Sequence, residues 1–299
     1  MQIINGQTHT YGIIGDPVTH SLSPLFQNYF LEQAHHNAVY LPFHVAPNHL
    51  AQALQGLHLA HVQGLNITIP HKENIMTHVH ADADAQTIGA VNTLKRVKGG
   101  WDATNTDWQG FASVIQGLKV DTQSAPVLLF GAGGTARAIL HALNHQNTTN
   151  VFLCNRNQER ANTLALALKE TYPNMAITTI TWANDAVASI IQQCGLLINS
   201  TSIGLNSDDT FPFTLNGGGV AIDAVYKPDG KTIFCTAADN YQTCDGLPML
   251  IAQGVASFAF WHHQNIQTKR INLPNKLISL QWVEKQLDRQ AINLSGWRI

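Results

Sequence analysis

The segment Gly131-Ala132-Gly133-Gly134-Thr135-Ala136-Arg137 follows the apolar run Val127-Leu128-Leu129-Phe130 and precedes Ala138-Ile139-Leu140. No other feature restricts the fold as strongly. Glycines between a strand-like run and a helix-like run dictate a tight strand–turn–helix unit. In such a unit, backbone N–H groups and the positive helix end approach a phosphate closely. A nucleotide is therefore the first ligand class implied. The spacing is G-x-G-G and not the full G-x-G-x-x-G, so a tight turn that binds nothing fits the same letters.

A dinucleotide fold selective for NAD places Asp or Glu about 20 residues past the first glycine, on the ribose hydroxyls. This chain has Val151-Phe152-Leu153-Cys154-Asn155-Arg156-Asn157-Gln158-Glu159-Arg160 there. The strand ends without an acid, and two arginines follow four residues apart. On the first turn of a helix starting by Asn157, like charges at that spacing repel by about 0.2–0.5 kcal/mol. Cations there also oppose the helix dipole. A bound anion such as the 2′-phosphate of NADP removes both penalties. Two solvated surface arginines, one eased by Glu159, are the other reading.

The chain has 299 residues, enough for one large or two ordinary domains without disulfides. It has no apolar run of about 18 residues, which excludes a membrane-spanning helix. The start, Met1-Gln2-Ile3-Ile4-Asn5-Gly6-Gln7, shows no basic stretch followed by an apolar region, so no secretory signal is expected. The four cysteines lack C-x-x-C spacing, and Cys154 and Cys194 sit in apolar runs as reduced core thiols. A cytoplasmic location is expected. A formal charge of −2 argues against nucleic acid as partner. Fifteen histidines are many, yet His71, His78 and His80, or His58 with His61, lack the carboxylate or thiolate that completes a metal site. No metal is expected.

Strand-like and helix-like stretches alternate, which predicts an α/β architecture. Strands are expected at residues 11–14, 38–43, 64–69, 127–130, 151–154, 177–181, 196–199 and 220–225, with a hairpin over 90–96 and 100–105. Ser23-Pro24 reads as a helix cap followed by proline at the first helical position. A second helix is expected from Pro47, one over 107–118, and a long apolar one over 247–263. The expected domains are 1–106 with 247–299, discontinuous, and 107–246, a Rossmann-type doubly wound domain.

Several ordered segments carry a family resemblance. They are Gly15-Asp16-Pro17-Val18-Thr19-His20-Ser21-Leu22-Ser23-Pro24, Gly64-Leu65-Asn66-Ile67-Thr68-Ile69-Pro70-His71-Lys72 and Gly89-Ala90-Val91-Asn92-Thr93. Asn105-Thr106-Asp107, the glycine turn, Asn155-Arg156, Asn199-Ser200-Thr201, residues 223–228 and Asp245-Gly246-Leu247-Pro248-Met249-Leu250 with Gln253 complete the set. Together they resemble shikimate dehydrogenases. The resemblance implies an N-terminal α/β substrate domain and an NADP-binding domain, and an enzyme that interconverts 3-dehydroshikimate and shikimate on the route to chorismate and the aromatic amino acids.

The resemblance also implies roles. Lys72 and Asp107 match the catalytic pair; an inter-domain salt bridge is their plainer reading. Ser21 and Ser23 match the serines that hold the substrate carboxylate, although Ser23 is also a plain helix cap by position. Tyr226 matches a tyrosine near that carboxylate. Thr68, Asn92 and Gln253 match residues that bond the ring hydroxyls, with Lys72 and Asp107 beside them. Gly131, Ala132, Gly133, Gly134 and Thr135 match the pyrophosphate turn. Asn155, Arg156 and Arg160 match the adenosine clamp, and Thr201 and Gly246 further cofactor contacts. Three positions depart from the family pattern: Asn157 where threonine is usual, Gln27 where histidine is common, and Leu205 where methionine is frequent. Two alternatives stay open: a broader quinate/shikimate enzyme using NAD or NADP, and a non-catalytic NADP-sensing protein. A small-molecule substrate is the expected partner, with the chain a monomer or a homodimer.

Overall fold

The protein is described by a computed structural model over residues 4–206 and 208–297. The first three residues, part of the stretch read for a secretory signal, lie outside the described residues. The chain divides into two compact units. One runs to Gly110 and resumes over Leu250–Ser279; the other is Phe111–Met249 with the described residues 280–297.

In the first unit the elements are β1 (His9–Gly15), α1 (Ser23–Gln33), β2 (Ala38–His44), α2 (Leu50–Leu59), β3 (Gly64–Ile67), β4 (His80–Ala81), α3 (Ala83–Ile88), β5 (Thr93–Val97) and β6 (Gly100–Thr104). Their sheet has the order β2-β1-β3-β5-β6-β4. β1 runs parallel to β2 and β3, while β5 is antiparallel to β3 and to β6. Ile14, Leu65, Ile67, Leu94 and Trp101 from the strands bury against Leu50 and Leu54 of α2. The expected Ser23 cap is corrected. Leu22 occupies the cap position without a side-chain bond, and Ser23 is the buried first residue of α1. Ser21 Oγ instead accepts from Ser23 N at 3.2 Å, satisfying one of the N–H groups that a helix start leaves open. A short 3-10 turn, Pro47–His49, precedes α2.

α4 (Asp107–Leu118) leads to the second unit: β7 (Val127–Phe130), α5 (Gly134–His145), β8 (Asn150–Cys154), α6 (Gln158–Leu168), β9 (Ala176–Ile180), α7 (Asn184–Ile191), β10 (Leu196–Asn199), β11 (Val220–Asp223), α8 (Ile233–Ala237) and β12 (Gln242–Cys244). The strands are all parallel, in the order β12-β11-β10-β7-β8-β9. That is the doubly wound dinucleotide-binding order, with its switch point between β7 and β10. Parallel strands covered on both faces read as unbroken apolar runs, and β7 and β10 are buried at every residue.

α9 (Leu247–Gln267) crosses the division between Met249 and Leu250, and α10 (Lys276–Gln286) crosses it between Ser279 and Leu280. The expected assignment of 247–299 to the first domain is thus corrected over its last part. Leu280 and Val283 are fully buried, and Trp297 Nε1 donates to Ser113 O at 2.7 Å within the second unit. Arg289 pairs there with Asp245 at 2.9 Å. An apolar stripe in a sequence shows that a helix is covered, not by what. Residues 107–110 likewise fall with the first unit and 247–249 with the second. Among the described residues no helix is long and apolar enough to cross a membrane.

Candidate active site

The first unit gathers four of the expected site residues into one polar cluster. Lys72 follows the turn after β3 and is held by its backbone, where Val91 N donates to Lys72 O at 2.8 Å. Its neighbour His71 is fully buried, with Nε2 2.7 Å from Val45 O. Asp107 opens α4, and its N–H donates to Asn105 Oδ1 at 3.0 Å. Asn105 in turn donates to Ala90 O at 2.9 Å. These anchors bring Lys72 Nζ to 2.5 Å from Asp107 Oδ2, with the side chains 14% and 7% exposed. Asn92 Nδ2 donates to the other carboxylate oxygen at 2.7 Å and lies 3.2 Å from Gln253 Oε1. An ammonium held by a carboxylate, itself fixed by an amide, is a positioned proton donor with one defined orientation.

Behind this group lies a layer that sequence reasoning missed. Asn92 Oδ1 accepts from Thr106 N at 2.7 Å. The Thr106 and Thr93 hydroxyls meet Ser257 Oγ at 3.0 and 2.8 Å. Asn66 Nδ2 donates to Ser257 Oγ at 2.9 Å, and Tyr40 OH to Asn66 Oδ1 at 2.8 Å. A buried amide surrounded by satisfied partners cannot flip without losing several hydrogen bonds, so this layer sets which end of Asn92 faces Asp107.

Ser21, Ser23 and Thr68 belong to the same unit. Thr68 N donates to Ile14 O at 2.9 Å, and Asp16 N to Ile69 O at 2.9 Å. The loops after β1 and β3 are thereby stitched together. Among the described residues no hydrogen bond joins Ser21, Ser23 or Thr68 to the Lys72 cluster. Tyr226 lies in the second unit, in the loop after β11.

In the second unit the glycine turn sits at the end of β7, at the switch point. Gly131 has φ +108, a left-handed conformation that favours glycine, and a Cβ there would lie 2.6 Å from Ser200 Oγ. α5 begins with Gly133 at its cap and no side-chain cap bond, an open helix start of the kind that suits an anion. Thr135 lies in that first turn, next to Gly134. Arg160 Nε donates to Ala132 O at 3.0 Å, which draws this guanidinium onto the glycine turn. Arg156 is exposed and forms no hydrogen bond or ion pair with the described residues. It precedes the cap of α6, so it is not on the helix proper. Asn157 is that cap, its Oδ1 accepting from Arg160 N at 2.9 Å. Threonine serves the same capping purpose, which gives the departure at Asn157 a local reason. Asn155 donates to Asn157 O at 2.8 Å. A glycine cradle, an uncapped helix start, two arginines and no acid at the end of β8 fit a dinucleotide with an extra phosphate.

Thr201 follows β10, and both its N–H and its hydroxyl donate to Asn199 Oδ1, at 3.0 and 2.7 Å. Gly246 is buried, its N–H donating to Val225 O at 2.9 Å. A Cβ at Gly246 would strike Ala224 O, so glycine is required there for close backbone packing. Among the described residues there is no group of three or more His, Cys, Asp or Glu that could hold a metal ion.

A family model described as the shikimate dehydrogenase substrate-binding domain matches residues 13–94. A second, shikimate / quinate 5-dehydrogenase, matches residues 113–204. The chain is 36% identical over 264 residues to the shikimate dehydrogenase (NADP(+)) of Aquifex aeolicus, covering 87% of this chain and 93% of that protein. The crystal structure of shikimate dehydrogenase from Aquifex aeolicus superposes with a TM-score of 0.79 at 34% identity, over 90% of this chain and 99% of that one. The Thermus thermophilus shikimate 5-dehydrogenase, in complex with NADP(H) and shikimate, gives a TM-score of 0.77 at 29% identity, over 94% and 100% of the two chains. The glycine turn, the acid-free end of β8 and the Lys72–Asp107 pair thus sit in a framework shared almost end to end, and the chain belongs to the shikimate dehydrogenase family.

Proposed function

We infer that this chain catalyses the reversible, NADP-dependent reduction of 3-dehydroshikimate to shikimate, a step toward chorismate and the aromatic amino acids. The observation that carries the reading is the cluster of Lys72, Asp107, Asn92 and Gln253. Reduced NADP, when bound, supplies the hydride. As the ketone oxygen gains charge, the Lys72 ammonium gives it a proton. In the oxidative direction, neutral Lys72 takes that proton back. Asp107 keeps Nζ oriented, and Asn92, Gln253 and Thr68 bond the ring hydroxyls. Ser21 and Ser23 offer hydroxyl donors to the substrate carboxylate ahead of α1, and Tyr226 assists near it. Gly131, Ala132, Gly133, Gly134 and Thr135 take the pyrophosphate. Asn155, Arg156 and Arg160 take the adenosine ribose and its 2′-phosphate, Thr201 faces the nicotinamide half, and Gly246 lets the backbone close behind it. The enzyme works in the cytoplasm, as a monomer or a homodimer.

The test follows reduced-cofactor absorbance with shikimate or quinate, each against NADP and NAD. Shikimate with NADP is expected to be the preferred pair. Lys72→Ala is expected to lower kcat about 10²–10⁴-fold, the range for loss of a general acid–base group. Near-normal turnover in that variant would remove Lys72 from the chemistry.

A further inference from the structure

β10 and β11 end side by side in parallel, with Asn199 opposite Asp223. Asp223 is fully buried. Its Oδ1 accepts from Asn199 Nδ2 at 2.8 Å and from Val225 N at 2.9 Å. Among the described residues no hydrogen bond or ion pair joins this carboxylate to the glycine turn, Arg156 or Arg160, and the proposed reaction gives it no task. Burying such a group is costly, and its partners show what it accomplishes.

An asparagine amide has a donor end and an acceptor end of nearly the same shape. Asp223 Oδ1, which already accepts from Val225 N, offers Asn199 only an acceptor, so the Asn199 NH₂ must face β11. The carbonyl end then faces Thr201 and accepts from its N–H and its hydroxyl. The Thr201 hydroxyl, its proton so committed, accepts from Ile203 N at 3.1 Å. Reversing the amide would set its NH₂ against the Thr201 N–H, donor against donor. A chain of carboxylate, amide, hydroxyl and backbone thus fixes the turn over residues 199–203.

That turn has a definite place on a doubly wound sheet. Such a sheet consists of two mononucleotide-binding halves that meet at the switch point. Arg156 and Arg160, which follow β8, assign the adenosine half to β7–β9. The other half of the dinucleotide falls to β10 and β11, at the turn that Asp223 orients. Ser200, inside that turn, donates to Phe130 O at 2.7 Å, right against the start of the glycine turn.

Resting on the NADP reading above, we propose that Asp223 is a positioning residue for the nicotinamide half of the cofactor, acting through Asn199 to hold the Thr201 turn. Burial lifts the Asp223 carboxyl to about 7, with the nearby Asp245 pushing the same way and the hydrogen bonds from Val225 and Asn199 opposing it. The orienting role does not need the charge. Either protonation state leaves Oδ1 as an acceptor, and asparagine at 223 keeps that acceptor as well.

The test measures binding of NADPH and of 2′,5′-ADP, which carries only the adenosine end, to the full chain by calorimetry. Asp223→Ala is expected to weaken NADPH about tenfold or more while 2′,5′-ADP stays within about twofold, since one committed hydrogen-bond relay is lost. Asp223→Asn is expected to bind both ligands about as the parent does. Thr201→Val, which keeps the side-chain volume, is expected to show the alanine pattern even if Asp223→Ala does not fold. Unchanged NADPH affinity in Asp223→Ala or Thr201→Val would overturn the proposal. So would equal losses for both ligands, which mark a general collapse of the unit, or failure of Asp223→Asn to preserve binding. If the parent chain itself binds no NADPH, the NADP reading falls and this proposal with it.

Discussion

Arg156 stands exposed just ahead of α6, whereas Arg160 is tied to the glycine turn through Ala132 O. The two arginines therefore separate in consequence. Removing Arg156 leaves the local backbone intact and, under the proposed clamp, takes away one charge-assisted contact to the 2′-phosphate, a loss of about 1.5–3 kcal/mol. Arg156→Ala is expected to raise the Michaelis constant for NADP by roughly tenfold to a hundredfold and to leave that for NAD nearly unchanged. Equal effects on both cofactors in steady-state kinetics would count against the clamp. His262 gives a pH dependence of another origin. It is buried beside Phe258 and Tyr11, and its imidazole is pushed down to about 3 by burial, with His36, Lys95 and His9 adding to the effect. The folded chain holds it neutral, while the unfolded chain protonates it near 6.5. Its contribution to stability is therefore complete above about pH 6.5 and is lost as pH falls toward 3. By pH 5 the loss amounts to about 2 kcal/mol. His262→Leu should flatten that part of the profile, as read from urea midpoints at pH 7 and pH 5.

Among the elements, the glycine turn is the most sensitive to a single methyl group. Gly131→Ala adds a Cβ in the left-handed region and against Ser200 Oγ, at a cost of about 1–3 kcal/mol for the conformation alone. The variant should melt earlier and should lose most of the thermal stabilisation that NADPH gives the parent; an unaltered NADPH-induced shift would contradict the assignment. What could be read in the sequence follows the same physics. β7, β10 and α4 lie where the sequence puts them, because buried parallel strands are unbroken apolar runs and α4 has a clear helical stripe. Lys72, Asn92 and Asp107 were legible through motif resemblance, not spacing. The Ser23 cap misled because a serine before proline suits the cap and the first turn equally. β4 has two residues and β12 three, too short for any period to register. The layer behind Asn92 joins Thr93 and Thr106 to Ser257 across the chain, and Asn199 meets Asp223 only through strand register. No local pattern announces a pairing of that kind.

At the scale of the whole molecule, each unit is built from separated stretches of chain. The second unit closes only with the last residues, where Leu280, Val283 and Trp297 are buried and Arg289 neutralises Asp245. Burial raises the Asp245 carboxyl, while Arg289 works against that shift. Arg289→Met leaves this acid without its counter-charge, and removal of one partner from a buried pair costs about 3–5 kcal/mol. A chain ending at residue 279 should lose more, since the apolar cover goes too. Calorimetric NADPH binding and protease resistance of the second unit are expected to fall together in both variants. The first unit has a matching dependence on α9. Trp261 Nε1 donates to Leu94 O at 2.8 Å, Gln27 donates to Gly254 O at 3.1 Å, and Ser257 completes the hydroxyl layer. During translation, every strand of that sheet leaves the ribosome well over a hundred residues ahead of this helix. A nascent chain stalled before Leu247 already carries its lysine and its aspartate, yet exposes the apolar face α9 is meant to cover. The sheet made first must wait for its cover until the other unit has nearly been synthesised.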